Sequence, residues 1–195
     1  LKTTSARSRA KTMNDPIVFA RDLADVVFKL QQVSIAGAPP ARNRARPLRE
    51  YDEPTRRAIA TASGLIDADA ATVVWEEALA APPHEGPPVW VHADLEGNCL
   101  VQDGRLCGLV DWGSACSGDP AVDVQVVWSP LFTDESRSAF LEALNVDAAA
   151  LARSRGAAIH QACIALPYYQ HTYPLIVARS IHKLAAIGVP LLAAT

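Results

Sequence analysis

The sequence predicts an α+β fold, a mostly helical body carrying one small β-hairpin. Three observations lead there. Apolar side chains recur at helical spacing in several segments of roughly ten to twenty residues. Only residues 89–110 hold short apolar runs of strand length, broken by an Asp-Gly pair. Hydrophobic residues make up 50% of the 195-residue chain, enough for a core of its own and too many for a disordered chain.

The elements follow in order. Asp15-Pro16 opens a helix, Asp as the cap and Pro in the first turn. Ile17, Ala20, Leu23, Ala24, Val27 and Leu30 then share one face. Residues 36–48, rich in Pro and Arg, read as a loop. Helices are expected over 51–65 and 70–81, the second burying Val73, Val74, Ala78 and Leu79. A Pro-rich break over 81–88 leads into a short strand, Val89-Trp90-Val91. Cys99-Leu100-Val101 and Leu106–Val110 flank the turn signal Asp103-Gly104 and predict the hairpin. Asp119-Pro120 repeats the cap-and-Pro start before an apolar helix over 121–128. Further helices are expected over 134–144, 147–166 and 173–187. Trp75, Trp90, Trp112 and Trp128 read as core anchors, and Trp112 is also placed to line the floor of a cleft. The basic stretch 1–14 reads as a solvated polar tail, and 15–195 as one domain.

Bulk properties exclude some functions. A net charge of −3 argues against nucleic acid as the main partner, since phosphate backbones select dense basic surfaces. No apolar run reaches membrane-spanning length, so no membrane partner is expected. The four cysteines, Cys99, Cys107, Cys116 and Cys163, show no C-x-x-C spacing. They read as small buried hydrophobes in a reducing compartment, which makes the cytoplasm the expected location. His160, His171 and His182 recur at steps of eleven, but Pro167 and Pro174 interrupt any common helix, so ordinary histidines are expected. Asp134, Glu135 and Glu142 read as a solvated helix face.

The chemistry concentrates in two stretches, Val91-His92-Ala93-Asp94-Leu95-Glu96-Gly97-Asn98 and Gly108-Leu109-Val110-Asp111-Trp112-Gly113. An H-x-D-L loop with a nearby Asn, then an apolar strand ending in D-x-G, is how kinase-type enzymes arrange phosphoryl transfer. One Asp receives a hydroxyl proton, while the Asn and the second Asp hold magnesium against nucleotide phosphates. Thirteen residues separate Asn98 from Asp111, room for two short strands and a turn. A hairpin there brings both residues to the same end.

The chain resembles the aminoglycoside phosphotransferase family, a branch of the protein-kinase-like fold. The resemblance rests on His92-Ala-Asp94-Leu…Gly97-Asn98, Leu109-Val-Asp111-Trp-Gly, and Gly118-Asp119-Pro120-Ala-Val-Asp123. Supporting segments are Phe19-Ala-Arg-Asp-Leu-Ala, Pro47-Leu-Arg-Glu-Tyr51-Asp and Ala165-Leu-Pro-Tyr-Tyr169. It covers the larger, C-terminal lobe of that fold, with the N-terminal ATP lobe expected to be absent. It implies ATP-dependent phosphoryl transfer to a hydroxyl of a small-molecule alcohol acceptor, such as an aminoglycoside. Asp94 matches the catalytic base, and His92 a supporting loop residue. Asn98 and Asp111 match the Mg²⁺ ligands that place ATP. Asp119 and Asp123 match braces of the catalytic loop.

Four departures accompany the match. No Gly-rich phosphate loop or strand-borne Lys precedes Asp15. The step from Asp94 to Asn98 is four, against five in the kinase pattern. Ala93 stands in place of a Gly, at a cost on the order of 1 kcal/mol if the backbone there needs positive φ. Gln31 stands where many relatives carry His. Asn98 beside Gly97 therefore also reads as a loop-stabilising residue, and Glu96 as a substitute ligand. The competing function is a truncated, inactive kinase-like remnant or binding module. A metal-dependent hydrolase ranks last, for want of further His or carboxylate ligands.

Overall fold

A computed structural model describes residues 15–192 of the chain, so the expected tail over 1–14 lies outside the described residues. Helix α1 (Pro16–Gln31) begins as anticipated: the Asp15 carboxylate accepts the Ile17 and Val18 N–H groups, and Pro16 occupies the first turn. Its buried face is Phe19, Ala20, Leu23, Ala24 and Val27. The helix expected from 51 starts as a 3₁₀ turn, Leu48–Tyr51, and continues as α2 (Asp52–Ala62). Helix α3 (Ala68–Ala80) is capped by Asp67, whose carboxylate accepts the Ala70 N–H. Its buried face is Ala71, Val74, Trp75 and Ala78, which corrects the sequence expectation: Val73 is 55% exposed. Trp75 decides the rotation. Its ring is fully buried and its Nε1–H donates to Asp52 at 2.8 Å, satisfying the indole while the rest of the ring packs.

Two small antiparallel sheets carry the middle of the chain. Strand β1 (Val89–Val91) pairs with β4 (Cys116–Gly118), Val89 opposite Gly118 and Val91 opposite Cys116. Strands β2 (Cys99–Gln102) and β3 (Arg105–Leu109) form the expected hairpin across Asp103-Gly104, both of which adopt positive φ. The hairpin is tied to α1 by Arg105, which donates to both Asp22 oxygens at 2.7 Å. Strand β4 escaped the sequence reading, because three residues ending in Gly carry no alternation.

The region expected as one helix over 121–128 is a short α4 (Ala121–Val124) followed by a 3₁₀ turn, Gln125–Trp128. Ser129 precedes Pro130 and is extended, and the tightened final turn ends the helix before it. Helix α5 (Asp134–Ala143) opens with a capping box from Thr133 and Ser136. Helix α6 (Ala148–Tyr169) runs past its expected end and holds Pro167 internally. Helix α7 (Pro174–Ala186) follows. The architecture is thus mixed α+β, mostly helical with small antiparallel sheets.

Helix α6 is the spine: α2, α3, α4 and α7 all pack on it, while α1 packs on α5 and touches β1 and β3. Trp75, Phe19, Phe140, Leu23, Ile66, Ile159, Leu184 and Ile187 fill the main core. A second, smaller core of Ala45, Val91, Ala93, Cys116 and Val122 sits under the loop after β1. Trp112 departs from its expected core role and is 45% exposed, and Cys107 is exposed where a buried thiol was expected. Among the described residues no helix is long and apolar enough to cross a membrane.

Gly118 shows how tightly the second core is closed. A Cβ there would collide with the Ala45 carbonyl and Cβ. Gly118→Ala is expected to destabilise the chain by about 1–3 kcal/mol, read from urea unfolding midpoints.

Candidate active site

The loop after β1 is built around a buried carboxylate. Asp123, on α4, accepts the His92 N–H at 2.8 Å and the Ala93 N–H at 2.7 Å. These two amides lie just past the end of the β1–β4 pairing and have no strand to bond to. Ala93 adopts φ +63°, the left-handed conformation that its place in a Gly position leads one to expect. Its carbonyl accepts from Arg44 Nη1 at 2.6 Å.

His92 joins the two sequence stretches. Its side chain is completely buried. Nε2 donates to the Val110 carbonyl at 3.0 Å, and Nδ1 accepts the Asp94 N–H at 3.3 Å. Since a carbonyl only accepts and an amide only donates, the ring carries its proton on Nε2. The Trp112 ring meets the imidazole edge-on, centroids 4.7 Å apart. One imidazole therefore spans from the loop bearing Asp94 to the strand end bearing Asp111.

Asp94 is about a third exposed, and one of its oxygens lies 2.6 Å from Arg44 Nη1. The short step to Asn98 closes as a turn: Asn98 N–H donates to the Leu95 carbonyl, and Gly97 adopts φ +89°. Asn98 Nδ2 donates to the Asp94 carbonyl at 2.7 Å, while its own carbonyl accepts the Val110 N–H. Asn98 thus sits beside the residue preceding Asp111, at the same end of the hairpin. Asp111 is exposed with φ +58°, and its carboxylate makes no hydrogen bond or ion pair among the described residues.

The donor set suits a hard cation. Asn98 Oδ1 and both Asp111 oxygens are unspent, and magnesium needs few protein ligands because it retains waters and binds phosphate. No cluster of three or more His, Cys, Asp or Glu side chains able to hold a metal occurs among the described residues. Glu96, the substitute ligand considered above, is instead turned inward to Lys183 Nζ at 2.8 Å.

The surroundings are structural. Asp119 accepts the Ala121 N–H at the start of α4 and pairs with buried Arg153 at 2.8 Å. Burial pushes the Asp123 carboxyl up to about 6, against the opposing pull of its two N–H donors. Burial also drives His160 down to about 4 and Cys99 up to about 12, so neither a cationic His160 nor a Cys99 thiolate is available near neutrality. A cavity of about 430 Å³ between Leu48, Leu79, Pro88 and Arg153 is lined by none of His92, Asp94, Asn98 or Asp111. Arg44, Arg179 and Lys183 escaped the sequence reading. Each reaches the loop from far along the chain, and no local pattern announces such a contact.

The family model described as the phosphotransferase enzyme family matches residues 3–159. The chain belongs to this family. No curated protein matches it. Among solved structures, macrolide 2'-phosphotransferase type I is similar at 19% identity and TM-score 0.60, over 85% of this chain and 58% of that one. Macrolide 2'-phosphotransferase MphH from Brachybacterium faecium is similar at 24% identity and TM-score 0.55, over 92% of this chain and 61% of its own. A thermostable mutant of aminoglycoside phosphotransferase APH(4)-Ia, in ternary complex with AMP-PNP and hygromycin B, is similar at 18% identity and TM-score 0.56, over 91% of this chain and 66% of its own. At these identities the likeness establishes a shared fold. The chain spans less than two thirds of the length of each of these phosphotransferases.

Asp123 gives a pH test. Its folded-state value is raised above the unfolded 3.8, so folding favours the protonated form. That contribution is complete below the unfolded value and is lost as pH rises through about 6. The stability of the parent relative to Asp123→Asn is therefore expected to fall by roughly 2–3 kcal/mol between pH 3.5 and 7 in denaturant titrations.

Proposed function

We propose that this chain carries the catalytic lobe of an ATP-dependent phosphotransferase acting on a hydroxyl of a small molecule. The observation that carries the reading is the single imidazole of His92, which hydrogen-bonds both the loop of Asp94 and the strand end before Asp111. Two carboxylates that a phosphotransferase must hold in register are thereby fixed to one rigid group. The family assignment supports the same reaction class.

In the proposed mechanism, one Asp94 oxygen stays paired with Arg44 and the other faces the acceptor. It orients the hydroxyl and takes its proton late, as the acceptor oxygen bonds to the γ-phosphorus and the bond to the bridging oxygen of ADP breaks. Asn98 Oδ1 and the Asp111 carboxylate are the residues that would hold Mg²⁺. When bound, that ion supplies charge neutralisation to the nucleotide phosphates. His92 and Asp123 hold the loop and touch no reactant. The acceptor class is a small alcohol, and an aminoglycoside or macrolide is suggested by the names of the similar structures.

A second reading, an inactive kinase-like remnant or binding module, is favoured by one observation, the four-residue step from Asp94 to Asn98. Calorimetric titration of Mg-ATP separates the two. Micromolar to millimolar binding that disappears in Asp111→Ala is expected, and binding in neither protein favours the remnant. In a preparation that turns over, Asp94→Ala is expected to lower phosphoryl transfer by about 10²–10⁴-fold with Mg-ATP affinity unchanged. Full turnover by that variant would remove Asp94 from the mechanism.

A further inference from the structure

The two halves of the candidate catalytic loop are held by different means. Residues 92–94 are fixed from several directions, by the Asp123 carboxylate, by Arg44 and by the His92 ring. Residues 95–98 contain the shortened step and must still present Asn98 beside Asp111. Leu95 is buried in the main core. Beyond that anchor, the side chain that reaches out of this half to another element is Glu96.

Glu96 reaches α7. Its Oε2 lies 2.8 Å from Lys183 Nζ, and the two side chains are only 14% and 8% exposed. The other oxygen, Oε1, is buried without a hydrogen bond and lies 4.0 Å from Arg179 Nε. Arg179 stands one turn before Lys183 on the same helix face. Its guanidinium covers Gly97: a Cβ at 97 would fall 2.5 Å from Arg179 Nη1, and φ +89° already disfavours any side chain there.

A buried ion pair earns little net stability, since desolvating both charges offsets their attraction. Losing one partner is costly, because the remaining charge stays buried and unpaired. Such a pair acts chiefly as a geometric constraint. Here it links the four-residue turn to a helix whose next residue, Leu184, is completely buried and so cannot shift easily. Helix α7 also lies beyond the stretch matched by the family model, which ends at residue 159.

We propose that Lys183 is a positioning residue of the candidate active site. Held on α7 beside Arg179, it pins Glu96 and thereby sets Asn98 toward the cation side of the cleft, offsetting the missing loop residue. This role rests on the phosphotransferase reading for its consequence, though not for its geometry. It also gives Glu96 a fixed function, as the handle by which α7 holds the loop.

The test uses the purified chain with Mn²⁺·ADP as probe, comparing Lys183→Met, Lys183→Arg and the exposed helix neighbour His182→Ala. Lys183→Met is expected to weaken Mn²⁺·ADP binding by roughly 10–100-fold, the usual range when a group supporting a metal ligand is lost. Lys183→Arg restores most of the affinity, and His182→Ala leaves it unchanged. Parent-like binding by Lys183→Met overturns the proposal. Should Lys183→Met fail to fold, Glu96→Gln breaks the same pair while keeping the shape, and the same weakening is expected. A parent that binds no Mn²⁺·ADP contradicts the phosphotransferase reading alone. Amide hydrogen exchange then decides the positioning role. Faster exchange at Gly97 and Asn98 in Lys183→Met, reversed in Lys183→Arg, supports it, and unchanged exchange overturns it.

Discussion

The Asp123 carboxylate is the constraint on which the site depends. Where β1 leaves its partner strand, the chain turns sharply and strands two amide N–H groups in a dry interior. A buried amide without a partner costs about 1–3 kcal/mol. Asp123 satisfies both with its two oxygens, from a short helix whose position is fixed by Asp119 and Arg153. The carboxylate is itself desolvated, which is why its titration is pushed upward. The arrangement holds Ala93 in a left-handed conformation that a residue with a Cβ rarely adopts unaided.

From that fixed turn the rest of the site follows in sequence. The backbone at 92–93 aims the His92 ring across to Val110, and the ring in turn receives the Asp94 amide. Asn98 then closes back on the Asp94 carbonyl and on the Val110 N–H. Three residues of this small region, Ala93, Gly97 and Asp111, have positive φ. Gly97 adopts it freely, whereas in Ala93, which bears a Cβ, it persists because surrounding contacts over-determine the backbone. For Ala93 those contacts are its hydrogen bonds with Asp123 and Arg44.

Much of this was legible in the sequence, and the failures have a common cause. The Asp15 cap, the hairpin across Asp103-Gly104 and the juxtaposition of Asn98 with Asp111 each follow from local chemistry: an acid before a proline, a turn dipeptide, and strand lengths that match. For Ala93 the sequence posed only the condition that a Gly position can need positive φ, and the structure meets it. By contrast, Val73 was assigned to a buried face from periodicity alone, while a tryptophan two residues later set the rotation of the helix. Strand β4 exists because β1 pairs with it, and its own three residues show no preference. Arg44, Arg179 and Lys183 belong to a loop and a helix with no sequence relation to the loop they hold. Family likeness pointed to Asp94 and Asp111, and only coordinates could name what keeps them in place.

The ties that hold the loop also bear on the order in which the chain folds. Arg44 and Ala93 are 49 residues apart, and Ala93 and Asp123 are 30 apart. Contacts at such separations form only after the intervening chain has closed, and loop-closure entropy delays them. The helices packed on α6 meet across still longer stretches, 105 residues between Thr55 and His160 and 78 between Glu77 and Arg155, so the helical body carries the same kind of closure cost as the loop. Residues 92–98 therefore gain their fixed shape together with the helical body, as parts of one network of distant contacts.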